Sequence, residues 1–173
     1  MNYDLQPWDG ARALCSAGVL RAVSRAGFPP KLWKEENDLE LMFEAPGVVE
    51  DFRIMTGPVG ASDLRIARGT ALELSYGHLR EEEPQHWADT CAEWRVTPEP
   101  DAQWALGARL TRPMRLEVTN PYVETVGSAF DCERDGTMIG RLLIFASADI
   151  LFAVREGHPE AATYGLRERV SDI

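Results

Sequence analysis

Short segments in which apolar and polar side chains alternate are the feature of this sequence that most restricts its fold. In residues 39–44, Leu, Leu and Phe alternate with Glu, Met and Glu, and Ala45-Pro46-Gly47 follows at once. Such alternation places one set of side chains on each face of a half-buried β-strand, and a turn containing Pro and Gly ends it. Related patterns predict further strands at residues 64–66, 72–76, 115–119, 122–130 and 141–146.

Three other segments predict helices. The first lies between Asp9, a candidate N-cap, and Gly27, and small apolar residues recur within it at helical spacing. The second begins near residues 81–84 and ends near residue 95. One of its faces would carry two tryptophans and a cysteine, namely Trp87, Cys91 and Trp94. The third covers residues 159–170, with Pro159 in its first turn.

The helices flank a block of strands instead of alternating with them. The sequence therefore predicts the α+β class: a mostly antiparallel sheet packed by an N-terminal helix, a central Trp-bearing helix and a C-terminal helix. Residues 147–155 fit either a short helix or a strand, and this alternative stays open. No internal repeat is visible in the sequence.

The length of 173 residues fits a single globular domain, residues 1–173. The first residues contain no basic segment followed by an apolar one, so we expect no signal peptide. Cys15, Cys91 and Cys132 are widely spaced, which favours free thiols and a cytoplasmic protein. Sixteen Arg against two Lys, with many Ala, indicate GC-rich coding and a bacterial source.

The acidic residues are concentrated in two runs. Residues 35–51 contain seven carboxylates and no Lys or Arg, and residues 81–101 contain seven against Arg95 alone. The net charge of -10 at pH 7 disfavours nucleic acid and anionic membrane as partners and favours a basic protein. A tryptophan and six carboxylates are the predicted partner-binding residues: Trp33, Glu35, Glu36, Asp38, Glu81, Glu82 and Glu83.

No motif in the chain predicts catalysis, a metal or a cofactor. Residues 131–136 resemble the first half of a calcium loop, but Leu142 stands where the bidentate Glu is needed. His86 and Cys91 are five residues apart, so the predicted helix does not bring them together as a base and nucleophile. We therefore predict no catalytic residue, no metal site and no cofactor.

These observations favour an acidic protein-binding module, of the kind to which bacterial immunity proteins and antitoxins belong, that inhibits a basic protein. The alternative is a small-molecule-binding protein or small enzyme with an aromatic-lined pocket on the sheet. Its candidate ligand-binding residues lie on or near the predicted strands: Tyr76, His78, Tyr122 and Arg141. A structural subunit of a homo-oligomer is a third interpretation, and the oligomeric state stays open.

Overall fold

The computed structural model of the chain describes residues 4–5, 7–28, 38–56, 64–119, 123–147, 150–163 and 167–170. Its strands are β1 (Asp4–Leu5), β2 (Val19–Gly27), β3 (Asp38–Ala45), β4 (Val48–Thr56), β5 (Leu64–Arg68), β6 (Arg95–Pro98), β7 (Arg109–Thr119), β8 (Val123–Arg134), β9 (Thr137–Ser147), β10 (Ile150–Arg155) and β11 (Arg167–Val170). Its helices are α1 (Pro7–Ser16), α2 (Ala71–Tyr76), α3 (Leu79–Glu82), α4 (Pro84–Glu93), α5 (Pro159–Thr163) and a 3-10 helix (Pro100–Ala105).

Antiparallel pairing joins the strands of the described residues into one sheet. The strand order is β1-β5-β4-β3-β2-β7-β8-β9-β10, while β6 pairs with β2 and β11 pairs with β7. Every pairing between these strands is antiparallel, which agrees with the predicted orientation of the sheet. The strand predicted for residues 39–44 is confirmed as part of β3.

The predicted fold class was wrong, because strands form most of the described structure and the predicted N-terminal and C-terminal helices are much shorter than expected. The first predicted helix ends at Ser16, and the third is limited to Pro159–Thr163 and followed by β11. The central helix α4 buries only Thr90. The protein is mostly an antiparallel sheet with few, short helices. None of the described helices combines the length and the hydropathy that crossing a membrane requires.

Residues 19–27, which were predicted to be helical, form strand β2. Burial on both faces of this strand produces a sequence pattern that resembles the apolar stripe of a helix. The last five residues of β2, Val23–Gly27, are all buried, so their apolar side chains do not alternate clearly with polar ones. Gly18 ends the helical segment with a φ of 113°, and a Cβ there would lie 2.3 Å from the Glu44 carbonyl oxygen. Glycine alone meets both conditions.

Two other local predictions are settled by neighbouring contacts. Residues 72–76, predicted as a strand, lie in α2, whose N-cap Thr70 accepts a hydrogen bond from the Glu73 N–H at its side-chain oxygen. This cap is worth about 1 kcal/mol and favours the helix over the alternation pattern. For the open alternative at residues 147–155, the described residues are strands: Ser147 ends β9, and Ile150–Arg155 forms β10 and pairs with β9.

The two halves of the sheet repeat one another. β2–β5 and β7–β10 each form an antiparallel meander, and the two meanders meet where Val19 of β2 pairs with Arg109 of β7. A helix and a glycine of positive φ precede each meander. These are α1 and Gly18 in the first half, and the 3-10 helix and Gly107 (φ 84°) in the second.

The strand registers of the halves agree as well. Hairpins β3–β4 and β8–β9 both turn through a glycine of positive φ, Gly47 (78°) and Gly136 (76°). In each half a short strand returns to the first strand: β6 pairs with Ser24–Gly27, and β11 with Met114–Glu117. The two paired stretches begin at Ser24 and Met114. Each start lies five residues after the residue that joins the two meanders, Val19 in β2 and Arg109 in β7. The fold therefore contains a structural repeat that the sequence alone did not reveal.

One hydrophobic cluster takes side chains from both halves. Phe43 and Phe52 of the first half and Phe130 and Leu142 of the second are fully buried in it, together with Leu14 of α1. Burying each such side chain stabilises the fold by about 1.5–3 kcal/mol. A second cluster covers the opposite face of the second half, where α5 contributes Ala161.

Candidate functional site

The structure describes four of the seven residues predicted to bind a partner. Trp33, Glu35 and Glu36 lie outside the described residues. Asp38 begins β3, whereas Glu81, Glu82 and Glu83 lie at the end of α3 and the start of α4 and are all exposed. Of the predicted residues that the structure describes, three carboxylates therefore lie next to one another on an exposed segment, whereas Asp38 lies on the sheet.

The comparison between the two halves identifies residues 77–94 as an insertion. In the second half, α5 ends at Thr163 and the returning strand β11 already begins at Arg167. In the first half, residues 77–94, which include α3 and α4, connect α2 to the corresponding strand β6. We name this segment the acidic insertion. Because the second half completes the same sheet pairing without it, the architecture of the sheet does not require it.

Three aromatic rings hold the two ends of the acidic insertion together. Tyr76 precedes it and Trp94 ends it, and their ring centroids are 5.8 Å apart. Phe28, which follows β2, contacts both rings edge to face at 5.6 Å and 5.0 Å. Such contacts contribute about 0.5–1.5 kcal/mol each beyond the area that they bury. The insertion is thus closed at its base against the end of β2.

Most of the acidic insertion faces solvent. Only Leu79 of α3 and Thr90 of α4 are buried, while Trp87 and Trp94 are half-buried. Cys91 is exposed, so the prediction that it shares a buried apolar face with the two tryptophans was wrong. A helix that buries so few side chains gains little stabilisation from packing against the rest of the fold.

Five carboxylates of the acidic insertion are exposed: Glu81, Glu82, Glu83, Asp89 and Glu93. Two contacts within the insertion involve these carboxylates. Nδ1 of His86 lies 3.4 Å from a Glu83 carboxylate oxygen, and the Gln85 amide donates to Asp89 at 3.0 Å. These contacts leave a negative surface that attracts cationic groups from solution.

Arg80 supplies the positive charge of the acidic insertion, where no other Lys or Arg occurs in the sequence. Its guanidinium forms an ion pair with Glu73 of α2. The same group lies over the ring of Trp87 in α4, with Cζ 4.8 Å from the ring centroid. Sequence reasoning overlooked Arg80, although its isolation among acidic residues was visible.

A charged cluster lies on one face of β3 and β4, next to the start of α2. Arg53 contacts Asp38 with two guanidinium nitrogens at 2.7 Å, so Asp38 already has an intramolecular partner. Glu40 accepts a hydrogen bond from the Ala71 N–H at 2.7 Å, which fixes the start of α2. Burial raises the pKa of the Asp38, Glu40 and Asp51 carboxyl groups above their ordinary values.

The corresponding face of the second half is more apolar. It carries the second hydrophobic cluster, which includes Leu143 and Phe145, together with an ion pair between the buried Asp131 and Arg141. Replacing such a face by carboxylates and arginine costs desolvation free energy, as the raised pKa values of the carboxyl groups show. The first half thus combines a charged face with the acidic insertion.

A buried ion pair joins the two halves inside the molecule. Nε of Arg25 in β2 donates to Glu99 Oε2 at 2.6 Å, and Nη2 of Arg25 donates to the Leu151 carbonyl of β10 at 2.6 Å. Glu99 lies directly after β6 and is the N-cap of the 3-10 helix. No local sequence signal predicts this pair, because its members are far apart in the chain. It anchors the residues that follow the acidic insertion.

The residues predicted for a small-molecule site lie in separate surroundings. Tyr76 belongs to the aromatic contacts at the base of the insertion, and His78 is exposed within the insertion. Nε of Arg141 in β9 donates to the buried Asp131 at 3.0 Å. Tyr122 lies outside the described residues.

The described residues offer no group of three or more His, Cys, Asp or Glu side chains that could hold a metal ion. Burial raises the pKa of the Cys15 and Cys132 thiols to about 12, which keeps both protonated at neutral pH. Neither thiol is therefore suited to nucleophilic attack.

Comparison of the chain with protein-family models, with curated proteins and with solved structures found no match.

Proposed function

We propose that this chain is a protein-binding module that engages a basic partner protein through its acidic insertion. The form of this function that we expect is inhibition of the partner, as immunity proteins and antitoxins achieve. A single observation carries the proposal: one half of a repeated fold has an insertion that the other half lacks. An element that the fold does not need, and that exposes five carboxylates, is best explained by binding.

The charge of the insertion supports a cationic partner. Glu81, Glu82 and Glu83 follow one another in the chain and are all exposed, so their negative potentials add. Such a surface accelerates association with a positively charged protein and makes the rate depend on ionic strength. At 0.15 M salt the charges still act over roughly 8 Å.

Two matched triple variants test the proposal. In the first, Glu81→Gln, Glu82→Gln and Glu83→Gln neutralise the insertion. In the second, Glu133→Gln, Asp135→Asn and Glu156→Gln remove the same charge from exposed positions of the second half. Proteins retained from a lysate of the source organism by the wild type are compared with those retained by each variant, at 50 mM and 300 mM NaCl.

We expect a basic protein that the wild type and the second variant retain at low salt and that the first variant releases. The association rate measured with this purified protein should fall at least tenfold in the first variant, because rim and surface charges act mainly on that rate. An equal loss of binding in both variants would show that the effect depends only on the net charge of the protein and not on the acidic insertion. Full retention by the first variant would contradict the proposal.

The small-molecule alternative gains no comparable support. Its three described candidate residues are engaged in different contacts or exposed to solvent, and none of these contacts brings two of the candidates together.

A further inference from the structure

Arg80 joins three helices of the first half. It lies in α3, its guanidinium forms an ion pair with Glu73 of α2, and the same guanidinium stacks over Trp87 of α4. The α2 helix is itself fixed to the sheet by the hydrogen bond from the Ala71 N–H to Glu40. Through Arg80, the orientation of the acidic insertion is therefore connected to β3.

Within the part of the chain that the structure describes, α3 and α4 have little buried surface to orient them. Leu79 and Thr90 are the buried residues of the two helices, and the aromatic contacts hold only the ends of the insertion. The three carboxylates Glu81, Glu82 and Glu83 lie between the ion pair and the stacked ring in the chain. Their spacing thus depends on how α3 meets α4.

We propose that Arg80 is a positioning residue for partner binding, which holds the carboxylates of the acidic insertion in a fixed array. This inference rests on the proposed function. Its charge is not available to attract or repel a partner strongly, because Glu73 neutralises it at close range. A guanidinium suits this task because it can pair with a carboxylate and stack on an aromatic ring at once.

The sign of the effect separates positioning from charge. Arg80→Gln makes the protein more negative, so a purely electrostatic role predicts tighter binding of a cation. A positioning role predicts weaker binding, because the carboxylates lose their fixed spacing and must be ordered again in the complex. The two readings thus predict changes of opposite direction.

The experiment uses the full chain and a helix-stabilised peptide with lysines along one face as the cationic probe. Binding at 50 mM NaCl is measured for the wild type, Arg80→Gln, Arg80→Lys and Arg109→Gln. The last variant removes an exposed positive charge from β7, outside the insertion. Hydrogen exchange of residues 84–94 is measured in the same four proteins.

We expect Arg80→Gln to weaken binding at least fivefold and to accelerate exchange in residues 84–94 at least tenfold, with the amides of β3 and β8 unchanged. Arg80→Lys should restore part of both losses, and Arg109→Gln should bind as tightly as the wild type or more tightly. Wild-type exchange in Arg80→Gln, or tighter binding by it, would overturn the inference. If the wild type fails to bind the peptide, the proposed function fails, while hydrogen exchange still decides the role of Arg80.

Discussion

Arg25 and Glu99 form an ion pair with an Nε–Oε2 distance of 2.6 Å, and their side chains are only 4% and 2% exposed. Arg25 belongs to β2, the first strand of the first meander, and it also donates to the Leu151 carbonyl in β10, the last strand of the second meander. Two charges buried at this depth stabilise the fold only as long as each keeps the other compensated.

We expect Glu99→Ala to lower the free energy of unfolding by about 3–5 kcal/mol, because it leaves the Arg25 charge buried and uncompensated. Urea denaturation followed by fluorescence measures this change. The double variant Arg25→Met with Glu99→Leu should be more stable than Glu99→Ala, since it removes both charges. The account would be contradicted if the double variant lost as much stability as the single variants Arg25→Met and Glu99→Leu lose together.

The acidic insertion should be removable without loss of the sheet. Gly-Ser-Gly in place of residues 77–93 provides roughly 3.3–3.6 Å per residue, and it keeps Tyr76 and Trp94, whose ring centroids are 5.8 Å apart. We expect the shortened chain to unfold cooperatively, with near-ultraviolet circular dichroism that shows fixed tertiary packing, and to bind no basic partner. Failure to fold would show that the insertion belongs to the fold itself.

Asp51 should make stability depend on pH in a direction opposite to that of a salt-bridged carboxylate. Burial raises its pKa above the ordinary value of 3.8, so the folded state binds the proton more tightly than the unfolded state. The stabilisation that comes from the protonated Asp51 carboxyl group is fully present below pH 3.8, and it is lost as the pH rises through the pKa of the folded state. Asp51→Asn should therefore be more stable than the wild type at pH 7, by an amount that shrinks on acidification.

Urea denaturation of both proteins at pH 7, 6, 5 and 4 gives this difference directly. Glu50→Gln serves as the matched control, because it removes a neighbouring carboxylate of β4 that pairs with Arg68 at 2.6 Å. A constant difference between the wild type and Asp51→Asn across this range would refute the linkage.

Gly18 and Gly136 should respond differently to the same substitution. Both have positive φ, but a Cβ at Gly18 would lie 2.3 Å from a backbone oxygen of Glu44, whereas nothing lies within 4 Å at Gly136. We expect Gly136→Ala to cost about 1–2 kcal/mol for its left-handed conformation alone. Gly18→Ala adds displacement of the β2–β3 pairing, so its melting temperature should fall further. Equal losses in both variants would exclude a steric role for Gly18.

Local sequence patterns determined several elements of this protein. Strict alternation predicted residues 39–44 as a strand, and acidic residues before Pro84 predicted the start of α4. Such patterns predict an element correctly where one of its faces is buried and the other is exposed to solvent. They failed at Val23–Gly27, where burial on both faces removes the alternation, and at residues 72–76, where a capped helix has apolar residues at positions that also fit a strand.

The exposed acidic character of residues 81–83 was likewise visible in the sequence, because runs of charge stay in solvent whatever the fold. Tertiary structure alone decided that β6 returns to β2 as β11 returns to β7, that residues 77–94 are therefore an insertion, and that Arg25 meets Glu99. The reason is physical: a side chain's local pattern sets which face it prefers, whereas strand pairing is chosen by the burial of the whole sheet and involves residues far apart in the chain.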